Sequence, residues 1–278
     1  MPPVIRIDSH QHFWKYNPVR DAWITDEMKA IQRDFLPADL APLLEKNKID
    51  GCVAIQADQS EEETHFLLSL ADENSFIKGV VGWVDLRSAS IIDRLTYFSG
   101  FEKLKGFRHV AQGEPAGFLR GHEFSNGIRA LTAFNFTYDI LIYPHQLQDA
   151  IWLVNQHPDQ QFIVDHIAKP VIREKEFHNW SAGMKELTSC SNVSCKLSGM
   201  VTEAVWDGWT LDDFTPYLDF IMHHFGTDRV MYGSDWPVCL LAATYENQLG
   251  ILETYLTPFS DSEKHQIMGD NATGFYNL

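Results

Sequence analysis

The stretch Val4-Ile5-Arg6-Ile7-Asp8-Ser9-His10-Gln11-His12 is a short apolar run that ends in two histidines one residue apart. A doubly wound dinucleotide-binding sheet carries Gly-x-Gly-x-x-Gly after its first strand; this chain has His-Gln-His there instead. In an extended chain residues i and i+2 point the same way, so His10 and His12 present two imidazoles to one centre. That arrangement suits metal ligation or proton transfer. Far along the chain, Tyr232-Gly233-Ser234-Asp235-Trp236-Pro237 ends another apolar run and supplies a carboxylate.

Between these two points lie further apolar, β-branched runs, at 51–57, 77–85, 104–110, 136–143, 161–165 and 192–197, and 229–233 leads into Asp235. With the opening run, 4–8, they make eight, each followed by a helix-like stretch. Ser60-Glu61-Glu62-Glu63 and Ser260-Asp261-Ser262-Glu263 read as capping boxes, and Pro37 and Pro144 suit first helical turns. Strands that are continuously apolar and separated by helices belong to a parallel sheet covered on its outer face. Eight such units in 278 residues predict a closed (β/α)8 barrel, one domain spanning residues 1–278. Residues 13–36 form the one long connection without helical period, and in a barrel they sit on the catalytic face as a lid carrying Trp14, Tyr16, Arg20, Trp23 and Arg33.

Composition narrows the partners. The 38 acidic against 22 basic side chains give a formal charge of −16, which repels polyanions and argues against nucleic acid. No run approaches the roughly 20 apolar residues of a membrane span, and Met1-Pro2-Pro3-Val4-Ile5-Arg6 lacks the pattern of a secretory leader, so a cytoplasmic protein is expected. Cys52, Cys190, Cys195 and Cys239 are scattered singly, without a Cys-x-x-Cys pair, and receive no function.

In a barrel of this kind the polar residues that end each strand form the site. Here they are His10 and His12, then Arg108-His109, His145, Asp165-His166, Lys196 and Asp235. A lone half-buried histidine is commonly satisfied by a backbone carbonyl, and this is the competing reading for His109 and His145. Asp235, ahead of Pro237, also suits a helix N-cap. As a set, His10, His12, His166 and Asp235 make a nitrogen-rich site suited to Zn²⁺ or a similar divalent ion.

The motifs Asp8 to Trp14, 79–86, 105–110, 164–170, 195–199 and 233–238, with a closing Asn271-Ala272-Thr273-Gly274-Phe275-Tyr276, resemble the amidohydrolase superfamily and within it the sugar-lactonase-like branch. The resemblance implies attack of water on a carbonyl or ester carbon, assisted by metal or aspartate, with His10, His12, His166 and Asp235 matching the metal-site positions. Two-metal members carry a bridging carboxylated lysine or glutamate where this chain has Arg108-His109, so a single divalent ion is expected, zinc first. Members of the branch also work without a tightly held metal.

On this reading Asp235 is the general base, and His166 and Arg108 polarise the carbonyl. Trp14, Trp236, His109 and Lys196 are candidate substrate contacts, the indoles stacking on a sugar ring. An ion pair in the barrel mouth is the favoured role for Lys196. Trp206 and Trp209 are left open. The expected substrate is a small-molecule sugar lactone such as fucono- or rhamnonolactone, opened to the aldonic acid in sugar catabolism. The rival readings are a metal-dependent decarboxylase, a hydrolase of aromatic-ring cleavage products, or a sugar-binding barrel without catalysis.

Overall fold

The computed structural model describes residues 5–278, and Met1 to Val4, including the start of the first predicted run, lie outside the described residues. Eight parallel strands run in sequential order: β1 (Ile7–Gln11), β2 (Gly51–Ile55), β3 (Ile77–Gly82), β4 (Leu104–His109), β5 (Thr137–Ile140), β6 (Phe162–Val164), β7 (Val193–Leu197) and β8 (Val230–Tyr232). Each neighbour pairs with the next, and a parallel bridge between Gln11 and Trp236 joins β8 back to β1. This is the (β/α)8 barrel that the eight apolar runs predict.

Helices cover the outside: α1 (Pro37–Lys46), α2 (Glu61–Glu73), α3 (Ile91–Phe98), α4 (His122–Ala133), α5 (Leu147–Gln156), α6 (His178–Leu187), α7 (Met200–Glu203), α8 (Leu211–Phe225), α9 (Tyr245–Tyr255), α10 (Asp261–His265) and α11 (Asn271–Tyr276). Pro37 occupies the first turn of α1, and Pro144 opens the 3-10 turn Pro144–Gln146. The Ser260 capping box forms in full. At α2 only half of it does: Ser60 accepts the Glu63 amide, but the Glu63 carboxylate accepts Ala57 N–H at 2.5 Å and Asp58 N–H at 2.7 Å instead of reaching back to Ser60. None of the described helices is long and apolar enough to cross a membrane.

The barrel has two apolar layers. The larger lies between sheet and helices, while Ile7, Val53, Ile55, Val81, Ile163 and Met231 fill the barrel from below and meet Ala272 and Tyr276 of α11. Above that plug the inward-facing side chains turn polar, at Arg108, Asp139, Asp165 and Lys196, all buried. Residues 13–36 are tied at their ends by an antiparallel bridge between Trp14 and Phe35 and contain a 3-10 turn, Asp26–Ile31, so the connection is more ordered than its lack of helical period suggests.

Candidate active site

The seam between β1 and β8 brings the two distant motifs together. Asp235 N–H donates to His10 O at 2.8 Å and His12 N–H to Trp236 O at 2.7 Å. Asp8 locks the register, its Oδ1 accepting Ser234 N–H at 2.8 Å and His10 N–H at 3.2 Å while Oδ2 accepts the Tyr245 hydroxyl at 3.0 Å. As their i, i+2 spacing predicts, the His10 and His12 rings stand edge to face, Nε2 to Nε2 3.2 Å.

The third imidazole arrives differently. After β6 the chain makes a left-handed turn of four successive non-glycine residues, His166 (φ 55°), Ile167 (48°), Ala168 (58°) and Lys169 (48°), closed by Lys169 N–H to His166 O at 2.8 Å. Each such residue costs roughly 1–2 kcal/mol, so surrounding structure must hold the turn in place. Trp180 Nε1 donates to Ile167 O at 2.6 Å, and Ile167 and Ala168 are fully buried. Gly199 leaves room for the His166 ring: a Cβ there would lie 2.5 Å from Nδ1, and φ of 62° is glycine's own region. Ser198 Oγ lies 2.9 Å from the same nitrogen, leaving Nε2 to face the cavity.

Asp235 Oδ1 is the point of convergence, 3.4 Å from His12 Nε2, 3.8 Å from His10 Nε2 and 3.9 Å from His166 Nε2. His10, His166 and Asp235 each offer a donor atom, all within 4.8 Å of one another, and His12 stands beside that trio. His12 Nδ1 lies 2.8 Å from Ile55 O, a carbonyl, so Nδ1 carries the proton and Nε2 is a lone pair aimed at the carboxylate. Acceptors converging in this way call for a cation between them. Burial lowers the pKa of all three histidines, which keeps them as neutral ligands. Burial would raise the Asp235 carboxyl, but His166, His12 and Lys169 outweigh it and hold the pKa below its ordinary value.

Beneath His10 lies a buried charge network. Lys196 Nζ is 2.5 Å from Asp139 Oδ2, 3.0 Å from Asp165 Oδ1 and 3.2 Å from His10 Nδ1, and Arg108 Nη1 is 3.0 Å from Asp165 Oδ2. Two carboxylates share one ammonium, and they split accordingly. Burial pushes Asp139 up to about 6; Asp165, against the same burial, is held well below its ordinary value by Lys196, His10 and Arg108.

A cavity of about 310 Å³ opens above this assembly, lined among others by His12, His166, Asp235, Arg108, Trp14, Trp23, Arg20 and Lys169. His10 is fully buried under it. Three of the expected substrate contacts are displaced from its wall. Trp236 is 1% exposed and packs against Phe13 and Phe35, because the seam turns its ring into the core. Lys196 is sealed below by its two carboxylates. His109 turns aside to Glu114, 2.8 Å, and Trp83 Nε1, 3.2 Å, and stacks on Phe118. His145 is exposed beside Tyr143, while Trp206 and Trp209 donate to Thr202 O and Ala242 O away from the cavity.

Sequence reasoning missed Lys169, Gly199 and Asp139. Asp139 and Lys196 carried a signal, as lone opposite charges inside two otherwise apolar strands. The roles of Lys169 and Gly199 depend on a left-handed turn that no residue-type rule flags.

The amidohydrolase family profile matches residues 7–278. A Burkholderia multivorans protein named L-fucono-1,5-lactonase is 37% identical over 99% of this chain and 96% of its own length. A protein of the same name from Burkholderia ambifaria is 33% identical over 98% of this chain and 96% of its own length. A crystal structure of a Burkholderia multivorans amidohydrolase with bound zinc superposes with a TM-score of 0.96 at 37% identity, covering 99% of both chains.

Proposed function

The chain belongs to the amidohydrolase family, and on that premise we propose that it hydrolyses a sugar-derived lactone to the aldonic acid, with L-fucono-1,5-lactone the first candidate and a rhamnonolactone the second. The observation that carries the reading is the placement of Asp235 Oδ1 among three neutral imidazoles at the floor of a cavity sized for one small ligand. Two full-length relatives named L-fucono-1,5-lactonase support the substrate class.

Asp235 takes a proton from a water held between His12 and His166, and the water oxygen attacks the lactone carbonyl carbon. Its lowered pKa keeps it ionised and ready to accept that proton at neutral pH. Collapse of the tetrahedral species breaks the bond to the ring oxygen, which leaves as a hydroxyl after taking the proton back. His166, which lines the same cavity, polarises the carbonyl. Arg108 acts as a fixed charge, because its guanidinium is engaged by Gln56 O and Oε1 and by Asp165. Trp14 and Trp23 offer indole surface to the C–H faces of the sugar.

His10, His12, His166 and Asp235 fit one divalent ion, which when bound would supply Lewis-acid polarisation and a more acidic water. Elemental analysis of purified protein, followed by activity before and after chelation, separates a working metal from an incidental one. The substrate class is tested by acid release from a panel of aldonolactones, read with a pH indicator. Turnover of L-fucono-1,5-lactone is expected; absence of acid release from every aldonolactone overturns the reading.

A further inference from the structure

The cations on the cavity wall differ in what their donors already do. Arg20 is paired with Asp21, its Nε 2.8 Å and its Nη2 2.9 Å from that carboxylate, and also reaches Lys15 O. Arg108 is engaged by Gln56 and Asp165. Lys169 Nζ makes no hydrogen bond among the described residues: its closest carboxylate oxygen is Glu203 Oε1 at 3.9 Å, and the Tyr143 ring centre is 5.6 Å away. Its side chain is 17% exposed, and what it faces is the cavity. A mostly buried ammonium with unspent donors is costly to keep unless an anion visits it.

The backbone explains its position. His166 and Lys169 are the first and last residues of the same strained left-handed turn, joined by the Lys169 N–H to His166 O bond of 2.8 Å. Both line the cavity with Asp235. Runs of non-glycine residues in this conformation persist where the surrounding structure enforces them, commonly at functional sites.

We propose that Lys169 is a catalytic residue, the donor that stabilises the oxyanion formed when water adds to the carbonyl; this rests on the lactonase reading above. The ammonium leaves its loose pairing with Glu203 for the carbonyl oxygen. As Asp235 accepts the water proton and the new C–O bond forms, the carbonyl electron pair moves onto the oxygen that Lys169 holds. That pair then re-forms the C=O bond, the bond to the ring oxygen breaks, and the ring oxygen takes the proton from Asp235. The new carboxylic acid loses its proton to solvent, and Lys169 holds the product carboxylate until release.

The test compares wild type, Lys169→Met, Lys169→Arg and Lys169→Cys, the last before and after alkylation with 2-bromoethylamine, which rebuilds a lysine-like ammonium. Wild type is alkylated in parallel, since Cys190 is the one native thiol that is not buried. With L-fucono-1,5-lactone, Lys169→Met is expected to lose about 10²–10³-fold in kcat with little change in KM, as removal of an oxyanion donor does. Its inhibition by the product aldonate weakens, its Tm stays at the wild-type value, and alkylation of Lys169→Cys recovers at least about tenfold in kcat. A Lys169→Met kcat within about threefold of wild type, or no recovery in a folded, alkylated Lys169→Cys, overturns the assignment while leaving the lactonase reading in place. A wild type that releases acid from no aldonolactone overturns both.

Discussion

The β1–β8 seam and the turn after β6 both deliver side chains to one cavity, by opposite means. At the seam, two segments more than 220 residues apart are stapled by Asp235 N–H to His10 O, His12 N–H to Trp236 O and the Asp8 carboxylate. β1 is extended chain with a register shift against β2 between Asp8 and Gln11, and across the seam Asp235 sits at φ of 56°. At the turn, four consecutive residues sit in the left-handed region, and what fixes them is packing: the Trp180 indole on Ile167 O, and Gly199 against the His166 ring. A site atom can thus be positioned by cross-linking two chain segments through their backbones or by clamping a strained loop. Both depend on close packing: a Cβ at Gly233 would lie 2.7 Å from His10 Cβ, as one at Gly199 would lie 2.5 Å from His166 Nδ1.

Asp235→Asn removes the carboxylate at which both regions meet and should give the largest effect, a loss of about 10³-fold in kcat with Tm nearly unchanged. If turnover survives in the folded variant, Asp235 is not the base.

A titration at the end of β2, whose Ile55 carbonyl receives His12, gives the next effect. Burial pushes the Glu63 carboxyl up to about 7 from its ordinary 4.5, although the Ala57 and Asp58 amides oppose it. A raised acid stabilises the fold while protonated, so its contribution is fully present below pH 4.5 and is lost as pH rises through about 7. The shift corresponds to at most about 3 kcal/mol. Denaturant unfolding at pH 5 and pH 8 should therefore show a smaller pH difference for Glu63→Gln than for wild type; equal differences would place the proton elsewhere.

Gly199→Ala probes the clamp on the turn. The added Cβ collides with the His166 imidazole and forces a positive φ on alanine, so stability should fall by about 2 kcal/mol and kcat at least about tenfold. A variant with wild-type kcat would mean that His166 need not sit where it does.

The smallest effect separates strained from relaxed backbone directly. Ala168 and Ala54 are both fully buried, but Ala168 has φ of 58° while Ala54 lies in β2, paired with Gln11. Ala54→Gly should cost about 1 kcal/mol or more in denaturant unfolding, from chain entropy and a lost methyl. Ala168→Gly should cost under about 0.5 kcal/mol, because relief of the left-handed strain offsets those losses. Equal costs would mean that the turn is not strained.

Strand positions were readable because a buried parallel strand needs an unbroken apolar run; seven of the runs overlie their strands, while the first, 4–8, meets β1 only at Ile7 and Asp8, the strand continuing through the polar residues to Gln11. The His10 and His12 pair was readable because side-chain direction in a strand repeats every second residue. Trp236 was misjudged by the same sequence proximity that served Asp235: the chain turns between them, sending the carboxylate to the cavity and the indole into the core. Lys196, read as an ion-pair partner, has two partners, Asp139 and Asp165, brought to it by neighbouring strands of the closed sheet.

By itself the sequence determined the barrel, its strand order and the residue types at the strand ends, because hydrophobic period and capping are local properties. Tertiary structure alone decided which of those ends share a cavity, which cation keeps its donors free and which imidazole nitrogen faces inward. Those outcomes depend on barrel closure and on the packing that holds a left-handed turn, where residues far apart in the chain set one another's positions to within an ångström.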